Sequence, residues 1–193
     1  MTELILLRHG KTEFNEKGVY CGSSNPPLSQ QGIAETKRTA KRFEALEPDA
    51  VYVSGSHRAV QTARIIAPRR SAVVKPTLRE MDFGDFEGLH ADEIAQCMPQ
   101  QWNDYLNAPQ TFTFPGGDSV TRFLDGAYEA VRLIAAQHDG QRVLVVTHKG
   151  VILAALSQML HGSFEHCFCY DIRPSGFVRL RVYDDSCVMT QLY

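Results

Sequence analysis

Several apolar runs in this chain each end on residues that can do chemistry. Leu4 to Leu7 ends in Arg8-His9-Gly10, Val51 to Val53 in Ser54-Gly55-Ser56-His57-Arg58, and Val143 to Val146 in Thr147-His148-Lys149-Gly150. Ala72-Val73-Val74 leads past Pro76 into Leu78-Arg79-Glu80-Met81-Asp82-Phe83-Gly84-Asp85. Two guanidiniums are fixed forks of donors matched to phosphate oxygens, and their charge persists at neutral pH. A histidine held between them stays largely neutral and keeps one lone pair free to attack phosphorus. A phosphoryl group leaving an alkoxide needs a proton donor, and the subsequent hydrolysis needs a base. One carboxylate of raised pKa serves both. Glu80 is the candidate, with Asp82, Asp85 and Glu87 close by in the sequence as alternatives. Arg8, Arg58 and His148 then supply fixed donors for charge on the phosphoryl oxygens, and Gly10 is expected to let the backbone approach the ligand.

These residues converge only if the apolar runs are neighbouring strands. Short, β-branched and uninterrupted, they read as strands buried on both faces, the habit of a parallel sheet, in which ligands bind beyond the carboxyl ends. Helical spacing lies between them. Ser29 reads as an N-cap, after which Ile33, Thr36, Ala40, Phe43 and Leu46 recur before Pro48. Arg58 to Ala67, Ser119 to about His138, and the stretch from Gly150 to about Leu160 also predict helices. Phe177 to Val182 alternates and is followed, after an Asp-Asp-Ser turn, by Val188 to Leu192, which predicts an antiparallel edge hairpin. The expected fold is a three-layer α/β/α sandwich on a mostly parallel sheet with an antiparallel edge.

The composition excludes other classes. With 193 residues, 44% hydrophobic and 22% charged, the chain suits one globular domain over 1–193 rather than a disordered or fibrous protein. Lys+Arg 20 against Asp+Glu 22 leaves a net charge of -2, so no general field favours nucleic acid or an anionic membrane. No early apolar run is long enough for a signal core or a membrane span, and five cysteines without framework spacing suit reduced thiols. A cytoplasmic protein without disulfides is expected.

The motifs in order resemble the histidine phosphatase superfamily, also called phosphoglycerate-mutase-like. Leu7-Arg8-His9-Gly10-Lys11-Thr12 with Asn15 and Pro27-Leu28-Ser29-Gln30-Gln31-Gly32 is similar to the opening of that family. Arg58-Ala59-Val60-Gln61-Thr62-Ala63, Leu78-Arg79-Glu80 through Gly88, Pro115-Gly116-Gly117-Asp118-Ser119 and Thr147-His148-Lys149-Gly150 come next in family order. The resemblance implies that His9 becomes the phosphohistidine, that Glu80 donates and accepts the proton, and that Arg8, Arg58 and His148 clamp phosphate. It places Asn15, Cys21 and Gly22 where the family touches substrate, and it calls for no metal or cofactor. Lys11, Asp118 and Lys149 depart from the usual residues. Lys11 and Lys149 read as surface charges, or as attraction for a second acidic group on the substrate.

Mutases of this kind carry a longer insertion after the acid, and phosphohistidine-protein phosphatases lack the Leu-Arg-Glu segment. A small-molecule phosphomonoester is therefore the expected partner, with specificity in an insertion at about 89–117, where Trp102, Tyr105, Phe112 and Phe114 could wall a pocket. Tyr20-Cys21-Gly22, the run from Glu80 to Glu87, and His148 to Val151 resemble most the bacterial α-ribazole phosphatases of cobalamin nucleotide-loop assembly. A broad-specificity phosphatase for sugar phosphates or phosphoglycerate is the alternative, and a binding module without turnover is the non-enzyme reading. The sequence leaves monomer and homodimer open. Cys167-x5-Arg173 has the spacing of a cysteine phosphatase loop, but Phe168, Tyr170, Asp171 and Ile172 are too bulky or acidic to cradle phosphate. His161, His166, Cys167 and Cys169 match no structural-zinc spacing and read as satisfied side chains in a buried strand.

Overall fold

A computed structural model describes residues 1–43 and 46–193. Six strands, β1 (Thr2–Arg8), β2 (Ala50–Val53), β3 (Ala72–Val74), β4 (Arg142–Thr147), β5 (Phe177–Val182) and β6 (Cys187–Leu192), form one sheet in the order β3-β2-β4-β1-β5-β6. β1, β4, β2 and β3 run parallel, and β5 and β6 add the antiparallel edge. The helices are α1 (Glu13–Lys17), α2 (Gln30–Phe43), α3 (His57–Ile66), α4 (Ala91–Cys97), α5 (Pro99–Asn107), α6 (Val120–Ala136) and α7 (Lys149–His161).

The period-two alternation of strand side chains sorts the core into two layers. On β1, Leu4 and Leu6 join the core shared with α6 and α7, whereas Ile5 and Leu7 join the one shared with α2 and α3. β4 repeats the pattern, with Val143 and Val145 on one face and Leu144 and Val146 on the other. Each such side chain stabilises the fold by about 1.5–3 kcal/mol through burial, which is why the central strands have no polar face.

Some expectations need correction. β3 is an edge strand with Val73 and Val74 51% and 54% exposed, because only β2 pairs with it, so its apolar run does not mark a strand buried on both faces. Leu46 packs on the core beyond α2 rather than continuing it, and the Glu44-Ala45 junction lies outside the described residues. The Phe164–Cys169 segment is a short 3-10 helix, not a buried strand, with Cys167 buried and Cys169 exposed. In 89–117 the sequence reading assigned no elements, yet α4 and α5 form there, started by His90, which makes a capping box with Glu93, and by Pro99 in the first turn.

Candidate active site

Strand register brings the candidate residues together. Arg8 pairs with Thr147 at the ends of β1 and β4, so the next residues, His9 and His148, stand side by side. The His9 amide donates to the Thr147 carbonyl at 2.9 Å, and the two imidazoles meet edge to face with centroids 5.1 Å apart. The Thr147 hydroxyl donates to the Leu78 carbonyl at 2.7 Å and so pins the segment carrying Glu80 to the same rim. Ser56 caps α3 through the Ala59 amide, which places buried Arg58 in the first turn, facing the rim rather than solvent.

His9 is 4% exposed, and its Nδ1 lies 2.7 Å from the Gly10 carbonyl oxygen. A carbonyl only accepts, so Nδ1 carries the proton and Nε2 keeps its lone pair. Burial, then the charges of Arg58 and Arg8, hold the His9 pKa well below the ordinary histidine value. His148 is depressed likewise by burial, by His9 and by the same two arginines. Burial pushes the Glu80 carboxyl above the ordinary range, although its oxygens accept from the Met81 and Gly150 amides at 3.1 and 3.2 Å. The chain thus holds two neutral imidazoles, two guanidiniums and a carboxyl biased toward its acid form in one buried cluster.

Both guanidiniums are anchored through their terminal nitrogens. Arg8 Nη1 donates to the Ile172 carbonyl at 2.8 Å, and Arg58 Nη1 and Nη2 to the Ser24 and Gly22 carbonyls at 2.7 and 2.9 Å. The Nε atoms of Arg8 and Arg58 and the Nδ1 of His148 are buried without a partner among the described residues. A buried polar atom left unpaired costs about 1–3 kcal/mol, a cost that an oxyanion seated among these three would relieve.

Two cavities meet at Glu80. The larger, about 410 Å³, is lined by Arg8, His9, Asn15, Cys21 and Lys149 at the polar end and by Tyr20, Phe83, Tyr105, Phe114, Leu153 and Phe168 elsewhere. The smaller, about 360 Å³, is lined by Gly22, Ser24, Ser54, Arg58, Arg79 and His148. Asn15 caps α1 with Thr12, whose amide and hydroxyl both donate to its Oδ1, leaving the amide NH2 for the cavity. The Cys21 thiol is half-buried with its pKa pushed up by burial, which makes it a packing and contact group rather than a thiolate.

Two of the other carboxylates near Glu80 are occupied elsewhere. Glu87 accepts from the amides of Gly22, Ser23, Ser24 and Phe83, and Asp82 from the Gly84 amide, so both shape loops. Lys149 stands at the cavity with its ammonium 2.9 Å from Asp171, whereas Lys11 is not among the lining residues. Gly10 is required by packing, since a Cβ there would strike the Thr36 hydroxyl. Gly116 and Gly117 form the turn into α6, and a Cβ on Gly117 would lie 2.5 Å from the Asp82 carbonyl oxygen. Trp102 and Phe112 stand behind Phe86, Tyr105 and Phe114 as support, not as cavity wall. The sequence reading missed Tyr20, Phe83, Leu153 and Phe168 as cavity lining, and Ser54, which touches His148. Position at the end of β2 was the available signal for Ser54; the others carry none beyond being apolar.

The family model of the histidine phosphatase superfamily (branch 1) matches residues 4–193. A metal-independent phosphoserine phosphatase of Arabidopsis thaliana is 33% identical over 168 residues, covering 84% of this chain and 71% of that protein. An adenosylcobalamin/alpha-ribazole phosphatase of Salmonella typhimurium is 31% identical over 163 residues, covering 81% of this chain and 79% of that protein. The crystal structure of the alpha-ribazole phosphatase from Shigella flexneri superposes with a TM-score of 0.91 at 23% identity, covering 98% of this chain and 95% of that one, a likeness of fold. The chain belongs to the histidine phosphatase superfamily, branch 1, and is a phosphatase.

Proposed function

We propose that this phosphatase hydrolyses phosphomonoesters through a phosphohistidine on His9, and that its substrate is α-ribazole phosphate in the assembly of the cobalamin nucleotide loop. The observation that carries the mechanism is the His9 ring, with Nδ1 committed to the Gly10 carbonyl and its cationic form disfavoured by burial and by Arg58 and Arg8. Nε2 attacks phosphorus as the ester bond breaks, and the acid form of Glu80 protonates the departing alkoxide. Glu80, now a carboxylate, takes a proton from water, whose oxygen attacks the phosphohistidine and frees His9 and inorganic phosphate. Arg8, Arg58 and His148 meet the charge on the non-bridging oxygens, a role that fits their unpartnered nitrogens.

The substrate reading is supported by the aromatic walls beside His9. Tyr20, Phe83, Tyr105, Phe114 and Phe168 suit an ester whose alcohol carries a flat apolar heterocycle better than a small zwitterion. Within the same reading, 89–117 acts as the specificity segment of a single cytoplasmic domain, contributing Tyr105, Pro109 and Phe114 to the wall. Asn15 and Cys21 stand where substrate oxygens arrive, whereas Gly22, its amide held by Glu87 and its carbonyl by Arg58, shapes the wall of the smaller cavity. A second reading, phosphoserine or a phosphorylated acid, is favoured by the cavity-facing Lys149 and by the phosphoserine phosphatase relative.

The test is kcat/KM for wild type and His9→Ala, with EDTA present, on α-ribazole phosphate, phosphoserine, phosphoglycerate and sugar phosphates. A preference of at least roughly 10²-fold for α-ribazole phosphate, lost in the variant, supports the reading. A preference for phosphoserine or phosphoglycerate replaces the substrate and keeps the mechanism. Saturable ester binding without turnover would favour a binding module instead.

A further inference from the structure

We propose that Ser54 is a positioning residue: its hydroxyl donates to Nε2 of His148 and so sets the single proton of that imidazole on Nδ1, the nitrogen that meets the phosphoryl group. The inference rests on the reading that His148 binds phosphoryl oxygen.

Ser54 Oγ lies 2.8 Å from His148 Nε2, both residues are buried, and among the described residues Ser54 is the one side-chain partner of that ring. Because the charged form of His148 is disfavoured, the ring has one proton to place, and whichever nitrogen holds it decides whether the ring offers phosphate a donor or a lone pair. Three buried nitrogens here have no partner among the described residues: Arg8 Nε, Arg58 Nε and His148 Nδ1. The two arginine atoms can only donate, so the group that satisfies them is an acceptor. The same acceptor satisfies Nδ1 only if Nδ1 also bears a proton.

The surrounding hydroxyls favour that arrangement. Ser54 Oγ is 3.1 Å from Ser56 Oγ and accepts from the Ser56 amide at 3.4 Å, while Ser56 Oγ accepts from the Ala59 amide at 3.4 Å. With Ser56 O–H donating to Ser54 and Ser54 O–H donating to His148 Nε2, every proton in the chain has an acceptor. In the reverse direction the Ser56 proton has none among these groups, and Nδ1 would turn a buried lone pair toward an anion. The relay begins at the first turn of α3, the same turn that presents Arg58, so one local structure aims a guanidinium and orients an imidazole.

The decisive measurement is the ¹⁵N–¹H long-range spectrum of the imidazoles in the full chain, with the His148 signals assigned by their loss in His148→Ala. The wild-type protein should show the Nδ1–H form of His148, in the free protein and with orthovanadate bound. An Nε2–H form in the wild type overturns the proposal without recourse to any variant. Ser54→Ala should mix or invert the tautomer, lower kcat by roughly 10-fold to 100-fold and weaken vanadate binding, and Ser54→Thr should restore all three. Ser54→Ala should add no further loss in a His148→Ala background. A folded Ser54→Ala with the wild-type tautomer also overturns the proposal. Unchanged kcat and vanadate affinity in His148→Ala would instead remove the underlying reading of His148.

Discussion

The imidazoles of His9 and His148 stand 5.1 Å apart, edge to face, just beyond the ends of adjacent parallel strands, with a hydrogen bond from the His9 amide to the Thr147 carbonyl fixing the separation. Two imidazoles this close, buried beside Arg8 and Arg58, resist protonation together. In the proposed mechanism one supplies a lone pair and the other a donor, a division of labour at constant charge that the parallel register makes possible.

On the proposed mechanism the opposed shifts of His9 and Glu80 set the pH–rate profile. Attack requires neutral His9, whose pKa is depressed, and protonation of the alcohol requires acidic Glu80, whose pKa is raised. For alkyl phosphates kcat/KM should therefore be bell-shaped, after allowance for the substrate's own ionisation. Its acid limb should lie below the ordinary histidine value and its alkaline limb above the ordinary glutamate value. Glu80→Gln should abolish the alkaline limb and slow alkyl esters far more than aryl phosphates, whose leaving groups need little protonation. Equal losses on both substrate types would remove Glu80 as the acid.

The same carboxyl sets a stability prediction. A folded-state pKa raised above the unfolded value means that the native protein holds a proton that the unfolded chain has already released, so stability declines as pH rises from the unfolded toward the folded value. Glu80→Gln does not titrate. Its Tm should match wild type near pH 4 and exceed it at pH 7 and above, a gain in stability at the cost of activity. A difference independent of pH would contradict the raised pKa.

Arg58→Ala should lower kcat/KM by roughly 10² to 10³, the scale for removing a fixed donor to transition-state charge. Because Arg58 also donates to the Gly22 and Ser24 carbonyls, Arg58→Lys should recover little of it. Recovery to within a few-fold by lysine would show that charge alone suffices there.

Asp118 ties the segment bearing Glu80 to the turn before α6, accepting from Arg79 at 2.6 and 2.9 Å and from the Asp82 amide at 2.8 Å. Arg79 is 56% exposed, so the ion pair itself contributes little, and the amide bond carries most of the effect. Asp118→Ala should cost about 1–2 kcal/mol in urea unfolding, and Arg79→Ala less. The reverse order would place the stabilisation in the ion pair.

Phe168 lines the cavity while 62% exposed, on a segment held by buried Cys167 and by a hydrogen bond from Gln110 to the Phe164 carbonyl. Phe168→Ala should raise KM for α-ribazole phosphate by roughly 3-fold to 10-fold, the value of one aromatic contact, and leave phosphoserine turnover unchanged. Equal effects on both would argue against stacking on a heterocycle.

The sheet and the charged rim were legible in the sequence because both obey local rules. Val143 to Val146 can only be buried, and the residues just after a buried parallel strand stand at its carboxyl end, so the sequence alone places His148 at the rim. β3 misled because an edge strand and a central strand share the same β-branched composition and differ only in their neighbours. The 89–117 segment was opaque for another reason. α4 and α5 are short and start on local caps, and which aromatic faces the cavity depends on packing against Phe86, so Trp102 and Tyr105 look equivalent in sequence but differ in place. Ser54 was visible by position, yet its partner lies 94 residues away.

The central claim is that the phosphoryl group passes through His9. Rapid acid-free quenching during turnover of a ³²P-labelled monoester, with peptide mapping of the quenched protein, tests it most directly. The account predicts label on the peptide containing His9, stable to base and labile to acid, formed and lost fast enough to carry turnover, absent from His9→Ala, whose kcat/KM should fall by at least roughly 10³. Turnover by His9→Ala near the wild-type rate, without a phosphoenzyme in either protein, would contradict it.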